Sequence, residues 1–109
     1  MDLAHTDLRV ADLSEARLEG AKLWEANLEG AICVGTHLER AYLWKVHLQK
    51  TILMWAHLEG VYLREAHLEG ADLRYAIGLT QAQIDEAYCD EETKLPPGLK
   101  PSGKKQPTP

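Results

Sequence analysis

Apolar residues recur along this chain at a spacing of five. From Leu3 to Leu73 every fifth position is leucine, with Cys33 the one departure. The position two before each of them is small or β-branched: Ala11, Ala16, Ala21, Ala26, Ala31, Ala41, Ala56, Ala66 and Ala71, with Thr6, Thr36, Thr51, Val46 and Val61 as variants and Met1 the only bulkier one. An α-helix turns about 100° per residue, so a step of five turns about 140° and scatters the leucines around the cylinder. A flat strand alternates its side chains, so the same step sends successive leucines to opposite faces. Both conflicts vanish if the chain bends once every five residues and each short extended "A-x-L" piece points its first and third side chains inward. The pattern predicts a coil with a narrow interior, filled layer by layer by one large and one small side chain per unit. Glycine at Gly20, Gly30, Gly35, Gly60 and Gly70 falls just before the next unit, where a bend relaxes steric limits.

Units such as "ADLSE", "ARLEG", "AKLWE", "ANLEG" and "ADLRY" resemble the A(D/N)LXX signature of pentapeptide repeat proteins, over about fifteen consecutive units from Met1 to Tyr75. The resemblance implies an all-β solenoid: a right-handed quadrilateral parallel β-helix of about four coils, with four units per coil, so that residues twenty apart stack. It assigns residues 1–78 to the β-helix. The following "GLTQAQIDEAYCDEETKLPPGL" is similar to the segment that closes such arrays, which makes 79–99 a capping helix and loop. Thr80 and Gln83 have capping-box spacing and Leu79 with Ile84 fits a hydrophobic staple, predicting a helix over about 81–89 with Ile84, Ala87 and Tyr88 on its apolar face. All five prolines lie at Pro96 or later, and residues 100–109 are expected to form a flexible tail. No comparable lid precedes Met1, so the first coil frays, continues in a longer chain, or meets a second copy. Self-association through that end, as a homodimer, is the preferred expectation.

Stacking at twenty residues sorts the outward side chains onto four sides. One side should carry Trp24 over Trp44 and Tyr42 over Tyr62, beside a ladder of Glu25, Lys45 and Glu65 whose sign alternates. The opposite side should carry Ile32 with Ile52, Val34 with Met54, and Trp55 with Tyr75, all pointing outward. Stacked aromatics serve sheet stability as cross-strand pairs, but a contiguous apolar patch of several hundred Å² more often marks a contact surface. These ten residues are the candidate partner-binding set. The two remaining sides hold His37 with His57 and His47 with His67. His37, Glu39, His57 and Glu59 offer nitrogen and oxygen donors in one patch. Repetition by itself duplicates residues every twenty positions, however, and flat ladders lack concavity, so no metal and no cofactor is expected.

Composition narrows the function. The 109 residues fit one small domain, and the net charge of -5 disfavours a nucleic-acid groove or a polybasic membrane patch. Two cysteines without CxxC spacing give neither a disulfide framework nor a zinc site. No phosphate-cradling glycine loop or nucleophile triad is present, and a convex rod offers no deep pocket, so no enzyme is expected. The start "MDLAHTDLRV" lacks a secretion pattern, and the expected location is cytoplasmic. The leading expectation is a protein-interaction or scaffold module that binds a protein partner or itself, with no membrane and no direct nucleic-acid contact. The alternative implied by the resemblance is an acidic DNA mimic that binds a type II topoisomerase, DNA gyrase. Residues 1–75 carry twelve acidic and eight basic side chains, a net of -4 spread in mixed ladders, which imitates a phosphate backbone poorly.

Overall fold

The computed structural model describes residues 1–104; residues 105–109 of the expected tail lie outside the described residues. Each five-residue unit is a short extended piece followed by a corner. At the corner the carbonyl of the central residue accepts from the N–H three positions on, as in Ala26 N to Leu23 O at 3.0 Å and Ala41 N to Leu38 O at 2.9 Å. The last residue of each unit has positive φ, the requirement at the third position of a type II turn. Ten of these corners hold a residue other than glycine, at φ between 52° and 65°. Glycine is therefore not what makes the corner. The conformation costs about 1–2 kcal/mol for a side chain with a Cβ, most awkwardly at the β-branched Val10. That cost is offset because a neighbouring coil binds the same backbone, with Val10 N donating to Glu29 O at 3.1 Å. Gly78, at φ +80°, does need to be glycine, since a Cβ there would collide with the Glu59 side chain and come within 3.0 Å of Glu59 Cα.

The extended pieces pair in parallel with those one circuit away, as in Asp2 with Lys22, Lys22 with Tyr42, Tyr42 with Tyr62, and Ile32 with Ile52. Every such pair in the array is twenty residues apart, which is the register expected for four units per circuit. Three backbone bonds tie most units to the coil above or below, for example Tyr42 N to Ala21 O at 2.9 Å, Leu23 N to Tyr42 O at 2.9 Å and Glu25 N to Trp44 O at 3.0 Å. Directing positions one and three of each unit inward fills the interior with Leu23, Leu43, Leu53, Leu58, Leu68 and Leu73 alternating with alanine, all at most 2% exposed. Leu3, Leu8 and Leu13 of the first coil are only partly buried.

Buried threonines add a bond that alanine cannot make. Thr36 Oγ1 donates to Leu13 O at 2.8 Å and Thr51 Oγ1 to Leu28 O at 2.7 Å. Leu28 O also accepts from Ala31 N, so Thr51→Val leaves that carbonyl with one partner. The expected cost is about 1 kcal/mol, the net worth of one hydrogen bond rather than of an orphaned carbonyl. Chemical denaturation should show a small fall in midpoint at unchanged slope.

The array ends in α1, Gln81–Asp85, which is shorter than the expected 81–89. The capping box is present: Thr80 Oγ1 accepts from Gln83 N at 3.3 Å and Gln83 Oε1 accepts from Thr80 N at 2.7 Å. Gln83 Nε2 also donates to Val61 O at 3.1 Å, joining the helix to the coil below. The helix stops because the chain resumes coil geometry. Ala87–Tyr88–Cys89 and Thr93–Lys94–Leu95 act as two further units, with Tyr88 paired to His67 and Lys94 to Asp72. Thr93 Oγ1 donates to Leu68 O at 2.9 Å, repeating the Thr36 and Thr51 bond. Ile84, Ala87 and Tyr88 are buried as the sequence predicts, but Tyr88 belongs to the sheet and not to the helix. Residues 100–104, expected as the start of a free tail, lie against this segment: Gln81 exchanges two hydrogen bonds with the Lys100 backbone, at 2.8 and 2.9 Å, and Ser102 is buried. Among the described residues no helix is long and apolar enough to cross a membrane.

Candidate functional site

Positions two and four of each unit point away from the core while their backbone bonds to the next coil, so identical or similar side chains stand directly over one another. On one side this builds a continuous aromatic ridge. Trp24 and Trp44 stack with centroids 5.8 Å apart, Tyr42 and Tyr62 stack at 5.0 Å, and Tyr42 meets Trp44 at 5.3 Å. Trp24 and Tyr42 are partly covered by this packing, whereas Trp44 and Tyr62 are exposed. Lys22 Nζ lies 6.0 Å from the Trp24 ring, at the outer limit of a cation–π contact.

The opposite side carries the aliphatic set. Ile32 and Ile52 form a bridged pair and each leaves more than a third of its surface exposed. Val34 and Met54 are partly buried. Trp55 and Tyr75 sit at corners with positive φ, which swings their rings outward, and they stack at 4.8 Å with about half of each exposed. The patch has charged borders. Asp12 lies below Ile32, and Asp72 lies above Ile52 in a two-bonded fork with Arg74, at 2.9 and 2.7 Å. That fork, chiefly the Arg74 hydrogen bonds, holds the Asp72 carboxyl below its ordinary value. An apolar strip bounded by charge at both ends resembles the centre and rim of a contact surface.

The other two sides are histidine ladders. His37 and His57 stack 4.3 Å apart and nearly parallel at 4°, and His47 and His67 stack 5.1 Å apart at 3°. His37 Nδ1 is 3.4 Å from Glu39 Oε2, and His57 Nδ1 is 4.0 Å from Glu59 Oε2. Partial burial pushes the Glu39 carboxyl up, but its own backbone N–H, His37 and His57 together outweigh this and leave it below the usual range. Tyr88 extends the second ladder, stacking on His67 at 5.0 Å, with Lys104 Nζ 5.4 Å from its ring. Sequence reasoning placed Tyr88 in the lid alone; the signal for its second role was the small–x–apolar run Ala87–Tyr88–Cys89. Cys33 fills a leucine position inside the coil, and burial pushes its thiol up to about 12, which leaves it inert as a nucleophile. Cys89 is also a free thiol.

A family model described as pentapeptide repeats matches the chain in eight copies, over residues 1–23, 25–60 and 51–88. None of the curated proteins matches it. Among solved structures, the chain is similar to a pentapeptide repeat protein of the Arabidopsis thaliana thylakoid lumen, with 25% identity and a TM-score of 0.68 over 69% of this chain and 52% of that one. It is also similar to HetL of the cyanobacterium Nostoc sp. strain PCC 7120, a pentapeptide repeat protein involved in heterocyst differentiation regulation, with 36% identity and a TM-score of 0.56 over 81% of this chain and 38% of HetL. The chain thus spans about half the length of the first and little more than a third of the second.

Proposed function

This chain belongs to the pentapeptide repeat family, and from that premise we propose that it is a non-catalytic interaction module whose aliphatic side docks on a protein surface. A second copy of the chain is the first occupant to test. The observation that carries this reading is the exposure of Ile32, Ile52, Trp55 and Tyr75 on one side of the coil, with Asp12 and Asp72 at the ends of the isoleucine column. Water-facing groups of that size gain from burial at about 25 cal/mol per Å², and tryptophan and tyrosine are the residues that most often dominate binding energy. The aromatic ridge of Trp24, Tyr42, Trp44 and Tyr62 is the secondary surface, since much of its area is already spent on internal stacking. Residues 79–104 serve as the lid of the coil in this reading. The regulatory role given for HetL suits a binding module better than a catalyst.

The topoisomerase reading gains nothing from these relatives. Its charge requirement is also poorly met, because acidic groups are neutralised by neighbours in the Asp7–Arg9, Arg17–Glu19 and Asp72–Arg74 pairs. The test of the preferred reading is sedimentation over a range of concentrations for the wild type, Ile52→Lys and Trp55→Glu. Both substitutions sit on the surface, so circular dichroism should be unchanged while association is lost. Unchanged sedimentation, together with unchanged recovery of any co-purifying protein, would defeat the proposal.

A further inference from the structure

We propose that His37, His57 and Glu39 bind one divalent cation of the zinc class on the outer face of the coil. One donor atom from each of the three lies within 4.8 Å of the others. Two imidazole nitrogens and a carboxylate oxygen form a mixed set that suits a borderline cation such as Zn²⁺ better than a hard one such as Mg²⁺. Tetrahedral zinc with bonds of about 2.0–2.1 Å needs its ligands roughly 3.3 Å apart, so the donors must close by about 1.5 Å at most. The roots of the two histidines do not have to move for this. His37 N donates to Ala16 O at 2.9 Å, His57 N to Thr36 O at 2.9 Å and Leu38 N to His57 O at 3.0 Å, which locks both residues on adjacent rungs. Tilting the two parallel rings toward each other and turning Glu39 about its partly exposed side chain completes the closure. The binding entropy cost is small because the frame is already built.

Two further observations favour a cation here. Glu39 Oε1 is shut off from solvent and has no hydrogen-bond partner among the described residues, so one oxygen of the carboxylate is left idle. Glu19, Glu39 and Glu59 also line one shallow depression with Arg40 and Gly60, so the surface is indented on the carboxylate side of the cluster, although neither histidine lines that depression. Arg17 engages Glu19 at 3.3 Å, whereas Glu39 and Glu59 are paired with His37 and His57, so a cation held by the two histidines would lie against carboxylates. The other histidine ladder provides an internal control. There Gln49 stands where Glu39 stands in the first, and Tyr88 closes over His67.

The experiment is calorimetric titration of the untagged protein with zinc chloride in metal-free buffer, alongside NMR of the imidazole nitrogens. One ion per chain is expected, with the His37 and His57 ring signals moving and those of His47 and His67 unmoved. His57→Gln and Glu39→Gln should each weaken binding at least tenfold, and His47→Gln should leave it unchanged, with circular dichroism confirming that each variant is folded. The proposal is overturned if zinc gives no heat and moves no histidine signal. It is equally overturned if His57→Gln binds as the wild type does, or if His47→Gln weakens binding as much as His57→Gln.

Discussion

Replacing Leu43 with lysine should abolish cooperative folding of the chain. Leu43 is 1% exposed, in the middle of the stack, with the register placing Leu23 below it and Leu63 above. Its removal from water is worth about 1.5–3 kcal/mol, all of which is lost. The larger effect is the ammonium group, for which the interior provides apolar side chains, threonine hydroxyls already bonded to carbonyls, and the already paired backbone. Leaving such a charge buried and unpaired costs several kcal/mol more. Together these terms consume most or all of the roughly 5–15 kcal/mol by which a domain is stable. A lysine could escape only by pushing through the hydrogen-bonded wall of a coil, which breaks the sheet it would need to preserve. Leu3→Lys is the control: Leu3 is half-buried in the first coil, and its ammonium can reach water with little rearrangement. Thermal denaturation followed by circular dichroism should show a clear transition for Leu3→Lys and none for Leu43→Lys. A sharp Leu43→Lys transition within a few degrees of the wild type would show that the interior is not the dry column described above.

Most of this architecture is legible in the chain because the side-chain period and the backbone period are the same number. A leucine every fifth residue can be buried only if the backbone turns every fifth residue, so Leu23, Leu43 and Leu63 and their partners Ala21, Ala41 and Val61 reveal the coil without any template. Stacked pairs follow from the four-unit circuit that the family resemblance implies, which is why Trp24 with Trp44, Tyr42 with Tyr62 and His37 with His57 are expected as pairs. Legibility fails where the period slips. Tyr88 lies twenty-one residues from His67, and Lys94 twenty-two from Asp72, because α1 and the loop after Cys89 each take extra residues to travel one side. A strict five-residue count passes over Ala87–Tyr88–Cys89 and Thr93–Lys94–Leu95, and a helical reading of the apolar spacing absorbs Tyr88 into a helix that in fact ends at Asp85. The corners mislead in another way. Glycine at five of them suggests that glycine is required, while Trp55, Lys45 and Arg40 occupy the same conformation elsewhere.

The candidate sites divide along the same line. Which residues share a side is fixed by register and was readable; how far each is covered depends on rotamers and neighbours and was not. Val34 and Met54 are partly buried between Ile32, Ile52 and the corners, so the exposed strip is narrower than six outward side chains would make it. Glu39 provides the converse case. Its position beside His37 follows from the spacing of two, but the burial of its Oε1 atom and the approach of His57 from the next rung are properties of packing. This is why a chemical reading of that patch strengthens only once the side chains are in place.

Ile84→Asp should open the upper end of the coil. Ile84 is fully buried, the only buried residue of α1, and the helix has only five residues, too few to persist without packing. Losing a buried isoleucine costs about 2–5 kcal/mol, and an aspartate without a partner at that place adds the desolvation of its carboxylate. The capping box and the Gln83 bond to Val61 O cannot compensate, since each is worth about 1 kcal/mol. Once α1 lifts, Glu65 N loses Glu86 O, and the units at Tyr88 and Lys94 lose the segment that guides them onto His67 and Asp72. The newly bared edge around Leu63, Leu68 and Leu73 presents unpaired backbone groups beside apolar side chains, the combination that pairs readily with other chains. Limited proteolysis should therefore cut between residues 79 and 104 in Ile84→Asp while the lower coils resist, and sedimentation should reveal larger species. Ala82→Asp, on the exposed side of the same helix, should behave as the wild type does. If Ile84→Asp melted, resisted protease and sedimented like the wild type, α1 would be an ornament on a coil that closes itself, and the edge-protecting role given to it would be wrong.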